Sequence, residues 1–452
     1  MKKWLGALMG LVLGLSGCAV GPDYHTPDIS MPDAFMPPLV QMAQRNANKP
    51  GVELVEWWRS LRDPELDLLV SRAIDSNLDL EIALTRLKAA QTQELVVIGS
   101  ALPSGGGTGG AGIGTGSNLT VGRASPLLRS AQNAANLSRL SESGGFDAAW
   151  EVDIFGKFWR TFEATTYDAE ALADARDWIL VTVAADVARG YLDMRALQRQ
   201  LAVLRKNIST AKSAFDFAKT RFENGISNEL DVALAERYLA TLQAGAAPLE
   251  AQIAASQNVI AVLLGQFPED LAKELAVPGK LPALPADIAP GLPVDLLRRR
   301  PDIREAERQL AAATARIGVA TADLFPRVIL SGALGGQGGE PMGTAIPITF
   351  IGAAGPAVYW PLLDFGTLDS IANIAELQAH ALLTNYRQTI ITAVQQVDDS
   401  IAAYGAAQQR LKDLNRALAA ARRSTKLASE RYDRGLTDYL NVLDAERQEY
   451  DL

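Results

Sequence analysis

The chain has 452 residues, one cysteine, two histidines and a formal net charge of −9. The acidic balance speaks against nucleic acid as a partner. One cysteine, with His25 and His380 far apart in sequence, leaves no ligand set for a zinc or redox centre.

Residues 1–17 read as a secretory signal: Lys2 and Lys3 are followed by an apolar run from Trp4 to Leu15 and by small residues before Cys18. The segment LSGC matches a bacterial lipobox, which implies a covalent lipid on the Cys18 thiol after cleavage before it. An ordinary signal peptide ahead of a cysteine is the alternative. Ala19 favours delivery to the outer membrane. Residues 18–63 hold many prolines and few periodic apolar positions, as an extended strap would.

The first repeat is expected over 64–265. Asp63 is placed to cap a helix with Pro64 in its first turn, and apolar periodicity runs through Leu66, Leu69, Val70 and Ala73 towards Ile98. The run SGGGTGGAGIGTG at 104–116 contains Gly107, Gly109 and Gly112 in a phosphate-loop spacing. No Gly-Lys-Ser/Thr and no helix pattern follows, so a glycine-rich strand and loop tip is the better reading. From Phe146 to Ile154, apolar Phe146, Ala148, Trp150, Val152 and Ile154 alternate with a partly acidic set, which predicts a strand. Residues 157–223 then run without proline and predict one helix on the order of 100 Å long. Its lower part carries a 4-3 rhythm through Leu197, Leu201, Leu204, Ile208, Ala211, Phe215, Ala218 and Phe222. That is a coiled-coil signature, shared by a stripe packed into a globular core. Gly225 is placed to end this helix and Ser227-Asn228 to cap a returning one, which breaks at Gly245 and restarts at Pro248 towards Gly265.

Residues 266–292 read as a linker, and 293–452 as a second copy of the same unit. The phrase RFENGISNELDVALAER at 221–237 returns as RYDRGLTDYLNVLDAER at 431–447, with 7 of 17 positions identical at an offset of 210. VDIFGK at 152–157 and LLDFGT at 362–367 keep that offset; Leu102-Pro103 and Phe325-Pro326 are 223 apart, so the first copy carries 13 additional residues. The second copy predicts strands at 327–335 and around 356–364, a helix over 367–433 with the seam Ala407, Leu411, Leu414, Leu418, Ala421, Thr425, Ala428 and Tyr432, and a turn at Gly435 with Thr437-Asp438 as the cap. Offset 210 would carry its return helix to about residue 475, roughly 23 beyond Leu452, so the second copy reads as truncated.

Beyond the signal no run of 18 apolar residues exists, so a membrane crossing would have to use strands with every edge paired. Four strands cannot close, and eight fill their own interior, so a duct needs at least three chains. The fold class that follows is mainly α with a small β part, long antiparallel helical hairpins and four strands per chain.

Several motifs together resemble TolC-like outer-membrane efflux factors of the NodT/OprM-type lipoprotein branch. They are Cys18 to Tyr24 (CAVGPDY), Trp57-Trp58, Leu61-x-Asp63-Pro64-x-Leu66, Arg299 to Ile303 (RRPDI) with Glu307, Phe325-Pro326, and both turns. The resemblance covers nearly the whole chain beyond the signal. It implies a homotrimer with a 12-stranded barrel in outer-membrane lipid, continued by a helical tunnel. It also implies a periplasmic adaptor and an inner-membrane pump of the RND type as partners, no cofactor beyond the lipid, and no enzymatic activity. Residues 225–232 and 435–442 would dock the adaptor and gate the tunnel, with Gly225, Ile226, Ser227, Asp231, Gly435, Leu436 and Thr437 at the tips. Asp444, Asn441 and Tyr432 would lie at a lumen constriction, where three copies of Asp444 would favour cations; Asp231 matches Asn441 in the other copy. The alternatives are a protein-secretion duct, a coiled-coil scaffold lipoprotein without a pore, and an anchored enzyme, which the absence of a nucleophile, base or metal constellation opposes.

Overall fold

The computed structural model describes residues 19–30, 56–114, 139–282, 299–340 and 348–452. The expected signal, Cys18, most of the strap and residues 115–116 of the glycine-rich run lie outside the described residues. In chain order the elements are α1 (Pro64–Ser76), α2 (Leu78–Ser100), β1 (Ser104–Gly114), β2 (Arg139–Val152), α3 (Lys157–Glu223), α4 (Glu229–Ala244), α5 (Ala246–Leu263), α6 (Pro268–Ala272), α7 (Pro301–Ala322), β3 (Arg327–Glu340), β4 (Ile348–Tyr359), α8 (Thr367–Asp433) and α9 (Tyr439–Asp451). They fall into two units, one of residues 1–29, 85–175 and 301–389, the other of 30–84, 176–300 and 390–452. Among the described residues no helix is long and apolar enough to cross a membrane.

The first unit holds an antiparallel sheet of order β1-β2-β3-β4, with β1 and β4 as its edges. Phe146 of β2 pairs with Gly107 and Leu334, and Leu334 with Gly352, without a register slip. That register puts Phe146, Leu330, Leu334, Phe350 and Val358 on one face, all exposed, and Asp147, Glu151 and Ser331 on the other. The expected strand at 146–154 begins earlier and ends at Val152. The one expected around 356–364 lies upstream instead, because Pro361 has no N–H to give a ladder and Asp364 turns to accept the N–H groups of Gly366 and Leu368 ahead of α8. The glycine run is itself β1; Gly105 and Gly107 place backbone opposite Ala148 and Phe146.

The same unit explains the CAVGPDY motif beyond its cysteine. Val20 N–H donates to Phe155 O (3.1 Å), and Arg160 donates to Val20 O (3.1 Å) and Asp23 Oδ1 (2.6 Å). Gly21 has φ +89°, and a Cβ there would sit 2.4 Å from Gly318 Cα. Tyr24 Oη donates to Glu307 Oε1 (3.1 Å). Phe155 and Phe325 stack at 4.6 Å, and α7 lines its small buried face, Ala306, Ala313 and Ala320, with arginines paired to α3: Arg304 to Asp174 (2.8 Å), Arg308 to Glu170 (3.2 Å) and Arg316 to Asp168.

In the second unit Leu66, Leu69, Val70 and Ala73 of α1 are buried against Val187, Tyr191 and Met194 of α3, Ile260 of α5 and Leu264 just past its end. Asp63 caps α1 as expected, accepting from Glu65 and Leu66 N–H, and also accepts from Tyr191 Oη at 2.9 Å. Arg195, fully buried, is held by Glu65, Gln198 Oε1 (2.8 Å) and Val277 O (2.8 Å). The helix expected to run unbroken from Pro64 to Ile98 is divided at Asn77. Its Oδ1 accepts from Asp79 and Leu80 N–H, and its Nδ2 donates to Leu263 O at 2.8 Å, so one side chain opens α2 and ties it to α5. The return helix restarts at Ala246, not Pro248, because Gly245 keeps a right-handed helical conformation.

Asn77→Ala removes a cap and leaves the Leu263 carbonyl unpaired, so a loss of roughly 2–3 kcal/mol is expected in denaturant unfolding. Asn77→Ser, which keeps a capping oxygen without burying a charge against the Leu263 carbonyl, should lose less; equal losses would contradict the cap.

Candidate functional site

The repeated phrase folds twice into one turn. At the end of α3, Gly225 has φ +72° and its N–H donates to Phe222 O, while Ile226 N–H reaches Arg221 O, each at 2.9 Å. At the end of α8, Gly435 has φ +70°, with its N–H on Tyr432 O and Leu436 N–H on Arg431 O, again at 2.9 Å. These bonds occupy carbonyls that a helix end otherwise leaves unpaired. A Cβ at either glycine would meet nothing within 4 Å, so backbone conformation and not space demands glycine.

The returning helices start differently. Asn228 Oδ1 accepts from Asp231 N–H at 3.0 Å, capping α4 with a side chain. The side-chain cap expected of Thr437-Asp438 does not form: Asp438 holds the cap position with its backbone carbonyl alone, and Thr437 Oγ1 accepts from Asn441 Nδ2 at 2.8 Å.

Both hairpins share one small core. Ala211 and Ala218 of α3, Tyr238 of α4, Tyr432 of α8, and Tyr439 and Val442 of α9 are buried together. The Arg221 guanidinium lies 5.7 Å from the Phe217 ring and 4.9 Å from the Tyr432 ring, an attraction between cation and aromatic face. Tyr432 and Tyr439 are 5.4 Å apart, and Tyr238 stacks on Tyr450 at 6.2 Å with planes 4° from parallel. The coiled-coil seam is realised unevenly. Leu201, Ala211 and Ala218 are buried, yet Phe222 is 41% exposed where its counterpart Tyr432 is 8% exposed. Ala407 and Leu411 are exposed too, since the 13 residues of α9 cover α8 only near the turn.

The residues singled out from sequence therefore separate into two environments. Tyr432 is buried between the hairpins, and its burial raises the phenol pKa while Arg221 opposes the rise. Asp231 is half-buried; burial first, then Asp438, pushes its carboxyl up, with Arg221 again opposing. Asn441 and Asp444 are exposed, and Asp444 accepts from Gln448 Nε2 (2.7 Å) with Arg447 at 3.4 Å. Ile226 and Leu436 project apolar side chains at the turns, both largely exposed, whereas Ser227 is partly covered and its Oγ has no partner among the described residues. Within one chain Tyr432 does not share a surface with Asp444 and Asn441. Sequence reasoning missed Arg221 and Tyr439. Arg221 carried a signal, because it is identical to Arg431 at the head of both phrases; Tyr439 carried none, since Glu229 occupies its place in the first copy.

Gly435→Val should cost roughly 1–2 kcal/mol through left-handed backbone strain, with Gly435→Asn costing clearly less. Thermal unfolding of the purified protein reads the difference, and equal losses would show that something other than the backbone demands glycine.

Comparison with known proteins places this geometry. The model of the family described as outer membrane efflux protein matches residues 69–266 and 292–451. Nodulation protein T of Rhizobium leguminosarum bv. trifolii is 30% identical over 437 residues, covering 96% of this chain and 89% of its own length. Outer membrane protein OprJ of Pseudomonas aeruginosa is 28% identical over 444 residues, covering 97% and 89%. Among solved structures, the outer-membrane channel OprN superposes with a TM-score of 0.82 at 34% identity, covering 96% of this chain and 94% of that one. The family model and these relatives match over nearly the full chain, which belongs to the outer membrane efflux protein family.

Proposed function

We propose that this protein is the outer-membrane exit duct of an efflux pump, built from three copies of the chain. Each copy supplies β1 to β4, and twelve strands close a barrel in the outer membrane. The observation that carries this reading is the sheet. Its strands of 11 to 14 residues suit a membrane crossing, one face is apolar and exposed, and the opposite face carries Asp147 and Glu151. Because β1 and β4 run in opposite directions, β4 of one copy can meet β1 of the next antiparallel, and every edge is then paired. Two copies would give eight strands, whose interior is filled by side chains.

Phe155, which receives the strap's Val20 N–H, lies just past the end of β2. A lipid on Cys18 would therefore enter the membrane next to the barrel. The two turns form the docking end in this reading: Ile226 and Leu436, both largely exposed, offer apolar contacts to a periplasmic adaptor, which links the duct to an inner-membrane pump. Asp444, exposed on α9, gives the constriction its negative charge. Cargo is small molecules supplied and energised by that pump; a protein-secretion duct has no observation in its favour here.

The purified protein in planar bilayers should show stepwise conductance that prefers cations, and Asp444→Ala should move the cation-to-anion permeability ratio towards unity; a protein that never conducts would refute the duct. The sheet faces give a second test. Phe146→Lys on the apolar face should lower barrel stability by about 2–4 kcal/mol, while Asp147→Lys on the other face should be tolerated. Equal tolerance at both positions would mean that no lipid touches Phe146.

A further inference from the structure

Helix α9 carries a carboxyl group on its inward face. Glu446 is 8% exposed, buried like its neighbour Ala445. Its Oε2 has no hydrogen-bond partner among the described residues, and neither has Oη of Tyr238, which approaches from α4. The titratable groups facing Glu446 are all acids or phenols: Glu449, Tyr439 and Tyr450 on α9, and Tyr238 on α4. Asp451 adds its charge at Tyr238. From α8 the nearby cation, Arg422, pairs with Glu449 at 3.7 Å, and Thr425 Oγ1 donates to Ala445 O; from α3, Thr210 bonds Tyr450. Burial, then repulsion from Glu449, raises the Glu446 pKa.

Burial of Oε2 without a partner or a facing cation disfavours the carboxylate relative to the neutral acid. The neutral acid can also donate a hydrogen bond, and the unpartnered Tyr238 oxygen is among the groups around it. We infer that Glu446 is a proton-operated latch between the two helical hairpins: neutral, it seats α9 against α4, and ionised, it drives the two helices apart. The sign follows from linkage. The packed state holds the proton more tightly than the opened state, so packing is intact at and below the ordinary carboxylate range and weakens as pH rises through the raised value. Opening of the turn end of the duct at higher pH is the functional consequence. That consequence rests on the channel reading, whereas the packing change does not.

Spin labels at Gln243→Cys and Gln448→Cys, both exposed, report the separation of α4 and α9 in the full-length protein. Between about pH 5 and about pH 8 the separation should increase, and amide exchange in α9, corrected for its intrinsic pH dependence, should quicken about tenfold for each unit by which the pKa is raised. Glu446→Gln, permanently neutral, should hold the close separation and slow exchange at every pH, and Glu449→Gln should retain most of the response. A parent protein whose separation does not change with pH overturns the latch, even if the glutamine variant fails to fold; so does an equal response in Glu446→Gln. A pH-dependent separation with conductance that does not change with pH supports the latch and overturns its consequence for opening, whereas a pH-dependent separation without any conductance supports the latch and counts against the channel reading.

Discussion

Backbone amide and carbonyl groups at the edges of a sheet have to be paired wherever water is absent. One chain of this protein leaves β1 and β4 with an open side each, while presenting an exposed apolar face made of Phe146, Leu334, Phe350 and Val358. These two facts conflict in a monomer: the face asks for hydrocarbon, and the edges forbid it. Antiparallel joining of β4 to the β1 of a second copy, as proposed, would resolve both and would tie the stability of the sheet to association. In the proposed trimer that apolar face would meet lipid instead of water.

Within the chain, order comes from a few side chains that each close two tasks. Asp63 caps α1 and accepts from Tyr191; Asn77 divides α1 from α2 and binds α5; Arg160 holds Val20 and Asp23 of the strap and pairs with Glu163 at its own helix start. The motifs that mark the family in sequence turn out to be such fastenings, with Gly21 against Gly318 and Tyr24 on Glu307.

Local signals were legible in the sequence where one residue type has one physical use. Asp63-Pro64 at a helix start and glycine in a left-handed turn at 225 and 435 are of that kind, and both long helices span the proline-free stretches. Asn77 was not legible, because a single asparagine in a periodic stretch is tolerated and only the distant Leu263 carbonyl makes it a joint. The strand end at Tyr359 was hidden for a similar reason: the apolar pattern continues through Leu362 and Leu363, but both are exposed and no strand pairs with them. At the turns the pattern predicted equivalent roles for Phe222 and Tyr432, and the fold made them unlike by burying one and exposing the other. Arg221 acts on Tyr432 across about 210 residues of sequence, which periodicity cannot encode, and Tyr439, which meets Tyr432 across its own turn, has no counterpart in the first copy.

The central claim is that edge pairing between copies completes the sheet, and the number of copies is its direct consequence. Native mass spectrometry of the protein released from detergent counts them. The account predicts a single species of three chains, twelve strands in all; a stable monomer, or an assembly of two, would contradict it.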